Sequence, residues 1–126
     1  MKIDPSQFYK KSNLLRLNTI KMIFNGPTRT GHIASSLSIA EILNYLFSYE
    51  IFSKKIKKNY IVLSKGHAAP ILYAAYEEKG YIKKLDFKNF RSLKSKLQGH
   101  PDKRSLDILD SGSGALGQGL SISLGY

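Results

Sequence analysis

All three histidines of the sequence directly follow a glycine, as Gly31-His32, Gly66-His67 and Gly99-His100. An imidazole titrates near neutral pH, so it can exchange a proton with a reacting group or donate a hydrogen bond to an anion. A glycine beside it lets the backbone come close to a ligand. One such histidine alone would be read as a surface or packing residue, but three of three predict a site for proton transfer or phosphate binding.

Two other interpretations of the histidines are weaker. A repeat array would need similar flanking residues, and the three glycine-histidine pairs are followed by different sequences. Three histidines could bind zinc, but no two of them have the short spacing of a local metal motif, and no acidic residue lies beside any of them. We therefore assign no metal ligand.

A glycine-rich segment at residues 111–119 is a further candidate for ligand binding. Gly112, Gly114 and Gly117 satisfy the GxGxxG pattern of dinucleotide-binding proteins. The preceding residues 105–110 make a poor strand, however, and no acidic residue follows at the distance that this fold requires. The segment therefore predicts only a close approach of backbone to a ligand just before a helix.

The elements that would position these residues begin with a helix over about residues 6–25, which Gly26 ends in a left-handed conformation. Its predicted apolar face repeats at three- or four-residue steps and consists of Phe8, Leu14, Leu17, Ile20 and Phe24. A second helix is predicted from Ser38, which starts a capping box, to about Tyr49. Its predicted apolar face consists of Ile39, Ile42, Leu43, Leu46 and Phe47.

The middle of the chain predicts the fold class. After a solvated connection at 54–58, the β-branched run 60–63 predicts a buried strand, followed by a polar turn and a helix over 68–79 that Gly80 caps. A strand, a short turn and a helix form the unit of open α/β sheets. We therefore predict an α/β fold with a parallel sheet flanked by helices. Shorter helices are expected over 86–93 and from about Leu116, with a long loop at 98–114.

Composition limits the function further. The 126 residues fit one domain, and the absence of cysteine excludes a disulfide scaffold, a thiolate metal site and a cysteine nucleophile. No apolar stretch is long enough for a membrane helix, and the first residues do not resemble a signal peptide. We expect a soluble cytoplasmic protein.

The chain is basic, with 20 Lys and Arg against 9 Asp and Glu and a net charge of +11. Such a surface attracts nucleic acid, anionic lipid or phosphorylated metabolites. Most of the cations are lysines, and no arginine-rich or aromatic-interleaved motif accompanies them, so the charge does not by itself predict nucleic-acid binding.

Four motifs together resemble the N-terminal part of transketolases. They stand in the family's order and cover the chain from about residue 12 to its end: Gly31–Ser38, Leu63–Pro70, Gln98–Asp102 and Gly114–Leu120. The form of the first two is most similar to the separately encoded N-terminal transketolase subunit of some prokaryotes. The second and third favour transketolase over 1-deoxyxylulose-phosphate synthase and other thiamine diphosphate enzymes.

The resemblance implies that residues 1–126 are the N-terminal part of a diphosphate-binding domain of a thiamine diphosphate enzyme. The family transfers a two-carbon ketol group from a ketose phosphate to an aldose phosphate. His32 and His100 match the family's histidines that face substrate hydroxyls and assist proton transfer, and His67 matches the one near the cofactor diphosphate. Gly114, Ala115 and Leu116 match the segment on the cofactor rings, although Ala115 stands where proline is common. Lys65 would favour a phosphorylated sugar, with a solvated lysine as the alternative.

The family pattern also implies partners for this chain. No Gly-Asp-Gly followed by asparagine occurs in it, so the ligands of the divalent cation, Mg²⁺ or another, would lie outside the chain, and we expect it to be truncated. The pyrimidine-binding domain would come from a C-terminal transketolase subunit or domain, and we expect an oligomer whose isolated chain is inactive. Two alternatives remain open: a shortened non-catalytic subunit that pairs with a full-length transketolase and modulates it, and a basic nucleic-acid binder.

Overall fold

The computed structural model describes residues 3–48 and 59–126. Five α-helices lie in these ranges: α1 (Pro5–Asn25), α2 (Ile33–Leu37), α3 (Ala40–Ser48), α4 (Ala69–Glu78) and α5 (Gln118–Leu124). Two 3₁₀ turns add to them, at Gly66–Ala68 and Lys84–Asn89. None of the helices in the described ranges is both long enough and apolar enough to cross a membrane. The cytoplasmic location expected from the sequence stays a prediction.

Helix α4 is the centre of the core, and α1, α2 and α3 pack around it. Every residue of α4 from Ala69 to Tyr76 is buried, and three alanines among them let the neighbouring helices approach closely. Pro70 stands in the first turn, where its missing N–H costs no helical hydrogen bond. Gly80, at φ 72°, ends the helix as the sequence predicts. This element carries His67 at its entrance.

Helix α1 has the predicted length but buries a different face. Leu14, Leu17 and Phe24 of the predicted apolar face are 42%, 46% and 57% exposed. The buried face instead consists of Ser12, Leu15, Asn18, Thr19, Met22 and Ile23. The prediction was wrong because small polar side chains can be buried cheaply when their hydroxyls bond to the preceding turn. Ser12 Oγ donates to Phe8 O at 3.1 Å, and Thr19 Oγ1 donates to Leu15 O at 2.8 Å.

The end of α1 also differs from the prediction. Gly26 follows the helix, but its φ is −68°, so it is not left-handed. Its small size matters for another reason: a Cβ built at Gly26 would lie 2.9 Å from Phe90 O. The glycine therefore allows a close backbone approach between the end of α1 and the segment that follows the Lys84–Asn89 turn.

The predicted strand and parallel sheet are absent from the part of the chain that the structure describes. An extended segment becomes a strand only when a neighbouring segment pairs with its backbone. The N–H of Ile61 donates instead to the side chain of Asp110, Oδ2, at 2.9 Å. The structure thus contains the helices of the predicted α/β fold. The predicted parallel sheet is not found within residues 3–48 and 59–126.

Three smaller differences concern helix boundaries. The predicted helix from Ser38 divides into α2, which the sequence analysis missed, and α3, and Ser38 lies at the end of α2 rather than at a helix start. The predicted helix 86–93 is a 3₁₀ turn at Lys84–Asn89, and the last helix begins at Gln118. The predicted connection 54–58 and residue 49 lie outside the described residues.

Candidate functional site

The three histidines meet at one place although they belong to separate segments of the chain. The ring centroids of His32 and His67 are 4.5 Å apart, those of His67 and His100 are 4.9 Å apart, and those of His32 and His100 are 5.7 Å apart. His32 directly precedes α2, His67 lies in the turn before α4, and His100 lies in the irregular segment 98–114. This histidine cluster, defined as His32, His67 and His100, is the candidate site.

Two contacts with the helical core hold the cluster in place. The hydroxyl of Tyr73, on buried α4, donates to the carbonyl oxygens of Gln98 at 3.0 Å and His100 at 3.3 Å. Gly31, before His32, packs so closely against α1 that an added Cβ would lie 2.8 Å from Ile23 Cγ1. Position 31 therefore requires glycine, because a larger residue would clash with Ile23. The hydrogen bond from Tyr73 holds the backbone of His100 against α4.

The environment of the cluster favours neutral imidazoles. Burial lowers the pKa of His32 below its ordinary value of 6.5, and the positive charges of His67, His100 and Arg91 lower it further. Burial likewise lowers the pKa of His100, with His67 and Arg91 as additional causes. Because both pKa values lie below 6.5, these two rings are mostly neutral at pH 7 and can accept a proton.

The glycine-rich segment lies against the turn that carries His67. A Cβ built on buried Gly66 would lie 3.0 Å from Ser113 Oγ and 3.1 Å from the backbone nitrogen of Gly114. The predicted cofactor contacts, Gly114, Ala115 and Leu116, continue from this point and are exposed. The structure thus brings the predicted cofactor segment next to His67, with backbone accessible to a ligand.

Serine hydroxyls near the site carry unused hydrogen-bonding capacity. Ser113 Oγ and Ser35 Oγ are buried and have no hydrogen-bond partner among the described residues. Buried hydroxyls are normally paired, and Ser113 lies beside Gly66, so its hydroxyl can serve a polar ligand there. The sequence analysis assigned no role to either serine. Both serines stand within the quoted motifs, and that position is the one signal that the sequence holds for them.

Lys65 makes a hydrogen bond between two of the segments that carry histidines. Its Nζ donates to Ser38 Oγ at 2.7 Å, which joins the segment before His67 to the end of α2. The contact positions two of the segments that carry histidines. The prediction that Lys65 binds substrate phosphate is left untested by this arrangement.

The rings of the histidine cluster pack edge to face or tilted, with interplanar angles of 80°, 78° and 57°. Within the described ranges, no group of three or more His, Cys, Asp or Glu side chains is placed to hold a metal ion.

Comparison with known proteins identifies a matching family. The family model described as "Transketolase, thiamine diphosphate binding domain" matches residues 10–126. "Transketolase-like protein 2" of Bos taurus is 39% identical over 119 residues, which cover 90% of this chain and 18% of the relative. "Transketolase" of Homo sapiens is 37% identical over 119 residues, covering 90% and 19%. "Probable transketolase" of Schizosaccharomyces pombe is 30% identical over 130 residues, covering 95% and 19%. The chain spans less than a fifth of the length of these relatives.

Proposed function

Because this chain belongs to the transketolase family, through the family's thiamine diphosphate binding domain, we propose that it acts as the N-terminal portion of a transketolase. The whole enzyme would transfer a two-carbon ketol group between sugar phosphates. The observation that supports the proposal is that the three imidazoles of the histidine cluster lie together and that the turn of His67 contacts the exposed glycine-rich segment.

The residues at the site fit thiamine diphosphate. The buried hydroxyl of Ser113, which has no partner among the described residues, and the exposed segment Gly114–Leu116 offer hydrogen bonds to a ligand. Nothing lies within 4 Å of a Cβ built on Gly114, so the backbone there is unobstructed. His67 would bind the diphosphate, and Gly114, Ala115 and Leu116 would contact the rings. When bound, the cofactor supplies the carbanion chemistry of the ketol transfer.

His32 and His100 would act on the substrate. A neutral imidazole accepts a proton at its free ring nitrogen and donates from the other, so each ring can both orient a sugar hydroxyl and take its proton. Their lowered pKa values keep this capacity at pH 7. The tie between Tyr73 and the backbone of His100 fixes where one of the two bases stands.

The proposal assigns the remaining parts of the site to other chains or segments. Mg²⁺, or another divalent cation, would be held by ligands outside the described residues, and the pyrimidine-binding part would come from a C-terminal transketolase subunit or domain. We expect an oligomer, with sugar phosphates as substrates attracted by the net charge of +11. The isolated chain would be inactive.

A second candidate function is a non-catalytic subunit that pairs with a full-length transketolase and modulates it. The exposed apolar residues of α1 (Leu14, Leu17 and Phe24) and of the C-terminal segment (Leu116, Leu120 and Leu124) favour a partner surface. Nucleic-acid binding has no comparable support beyond charge.

Reading the gene beyond the codon for Tyr126 separates the two candidates. The enzyme proposal predicts a continuing frame with Gly-Asp-Gly and a following asparagine, which would supply the cation ligands. A stop codon there, together with co-purification and altered turnover of a full-length transketolase, would favour the modulating subunit. Robust ketol transfer by this chain with only a C-terminal partner, thiamine diphosphate and Mg²⁺ would contradict the expectation that it is incomplete.

A further inference from the structure

Helix α1 carries a stripe of residues on its exposed side that is spaced for packing against another helix. Its positions alternate in steps of three and four residues, and all of them are exposed: Gln7, Lys10, Leu14, Leu17, Lys21 and Phe24. Residues at such steps lie along one side of a helix, as at the interface of a coiled coil. Scattered exposed leucines are ordinary on a protein surface, whereas a continuous line of this spacing is typical of a surface that binds a helix. We call these residues the α1 stripe.

The α1 stripe is apolar at its centre and basic on both sides of the centre. Leu14 and Leu17 form the centre and, with Lys10, line an open groove of ≈ 560 Å³. Lys21 follows on the other side of the two leucines. The two lysines lie eleven residues apart, or about 16 Å along the helix at about 1.5 Å per residue. An occupant of the stripe therefore meets an apolar surface between two positive charges.

The two lysines of the α1 stripe have no ion-pair partner among the described residues. Two acidic residues that contact α1 are engaged by other cations: Glu41 binds Arg16 at 2.6 and 2.7 Å, and Glu78 Oε1 lies 4.0 Å from Lys11 Nζ. A partner that covers an ammonium group without pairing it incurs the cost of removing that charge from water. The stripe therefore favours an occupant with a carboxylate opposite each lysine.

A second copy of the chain does not supply these carboxylates through the same face. In an antiparallel pair of stripes with their leucines facing each other, Lys10 of each copy would face Lys21 of the other, and in a parallel pair each lysine would face its equivalent. Like charges in such positions repel. An amphipathic helix at a lipid surface has its lysines on the polar face, whereas these lysines stand in line with the leucines. Charge therefore favours an acidic partner other than a second copy.

We propose that the α1 stripe binds a helix of a partner protein, one that presents two apolar residues between two carboxylates. The apolar residues would pack on Leu14 and Leu17, and the carboxylates, about three helical turns apart, would pair with Lys10 and Lys21. The stripe includes no residue of the histidine cluster, and its binding does not rest on the ketol transfer proposed above. For the modulating-subunit candidate, it names the chemistry of the partner.

The test measures binding of two synthetic helical peptides to the full 126-residue chain, by fluorescence anisotropy at low salt and pH 7. Both peptides carry two leucines between two charged residues at the spacing of the α1 stripe, and the charged residues are Glu in the acidic peptide and Lys in the basic peptide. The acidic peptide should bind saturably and at least about tenfold more tightly than the basic one. Leu17→Gln should weaken its binding by about tenfold or more, because the apolar centre is lost.

A charge reversal separates the α1 stripe from the general attraction of a basic protein for an acidic peptide. The double variant Lys10→Glu and Lys21→Glu should prefer the basic peptide. The double variant Lys94→Glu and Lys96→Glu makes the same change of net charge at exposed positions outside α1, and it should still prefer the acidic peptide. Equal binding of both peptides by the unmodified chain, or the same preference in both double variants, would overturn the proposal.

Two other occupants of the α1 stripe would give different results. If a second copy covers the stripe, sedimentation velocity will show a dimer that forms with rising concentration and is lost in Leu17→Gln. If a membrane covers it, vesicles of phosphatidylserine and phosphatidylcholine will bind the chain more tightly than the acidic peptide does, and Leu17→Gln will weaken that binding. Either result would overturn the proposal. Neither involves thiamine diphosphate, so failure of the helix-binding proposal leaves the proposed function to its own test.

Discussion

The imidazole rings of His32 and His67 pack edge to face, with their centroids 4.5 Å apart and their planes at 80°. Charging one ring makes charging its neighbour less favourable, and burial disfavours the charged form of His32 as well. The packing of the rings therefore favours the neutral form of His32 and of His100, whose pKa values are both lowered.

The first prediction concerns the dependence of stability on pH. Because the folded-state pKa values of His32 and His100 lie below the ordinary 6.5, the unfolded chain binds more protons as the pH falls through this value. The free energy of unfolding should therefore decrease as pH falls from 7 towards the lower folded-state pKa values. Urea denaturation of the unmodified chain and of His32→Gln at several pH values measures the effect.

His32→Gln should flatten this dependence below pH 7, because it removes one group whose pKa is lower in the folded chain. The ion pair between Arg16 and Glu41 affects stability in a lower pH range. The pKa of Glu41 is lowered from 4.5, mainly by its hydrogen bond from Arg16, so the stabilisation by this pair is lost only below that pH. Stability that rises on acidification from pH 7 would contradict the burial of neutral histidines.

The second prediction uses two glycines of neighbouring segments. Gly66→Ala places a Cβ about 3 Å from Ser113 Oγ and from the Gly114 nitrogen, and backbone cannot yield easily, so it should cost about 1–3 kcal/mol of unfolding free energy. Gly114→Ala is the control, since nothing lies within 4 Å of its built Cβ, and it should change stability by less than about 0.5 kcal/mol. Equal effects of the two variants would show that the segments are not in contact as described.

The third prediction concerns the support of His100. Tyr73→Phe removes a hydroxyl whose hydrogen is shared between Gln98 O and His100 O, and it should cost about 1 kcal/mol because these partly buried carbonyls lose their donor. The ring signals of His100 should broaden or shift with it. Tyr9→Phe, at an exposed tyrosine, should leave both stability and these signals unchanged. An unaltered His100 spectrum in Tyr73→Phe would remove Tyr73 as its positioning residue.

The fourth prediction tests which face of α1 is buried. Leu15 is fully buried and Leu14 is 42% exposed, so Leu15→Ala should destabilise the chain by about 2–5 kcal/mol. Leu14→Ala should cost no more than about 0.5 kcal/mol. Because both variants make the same chemical change at adjacent positions, each serves as the control for the other. A larger loss of stability in Leu14→Ala than in Leu15→Ala would support the apolar face that periodicity predicts.

The sequence predicted the length of α1, the extent of α4 and its end at Gly80, because periodicity and glycine chemistry are local signals. It did not predict the buried face of α1, because a helix with two apolar stripes can bury either. The choice depends on hydroxyl groups such as that of Ser12, which also accepts a hydrogen bond from Asn44 Nδ2 at 3.0 Å.

The candidate site shows the same division between local and tertiary information. The sequence identified each histidine as a residue for chemistry, but no local signal gives the distances among three loops. The role of Asp110, which binds the backbone of Ile61 where a strand was predicted, likewise depends on residues far apart in the chain. The left-handed backbone of Arg91, with a φ of 61°, is likewise not visible in the sequence.

The most direct test of the central claim compares thiamine diphosphate with thiamine in the presence of Mg²⁺, by following assigned backbone and histidine NMR signals. We expect thiamine diphosphate to shift the signals of His67 and of Gly114–Leu116. Thiamine, which lacks the diphosphate, should leave His67 unchanged and bind more weakly. Shifts by thiamine diphosphate that avoid both His67 and the glycine-rich segment would contradict the assignment of this site to the cofactor.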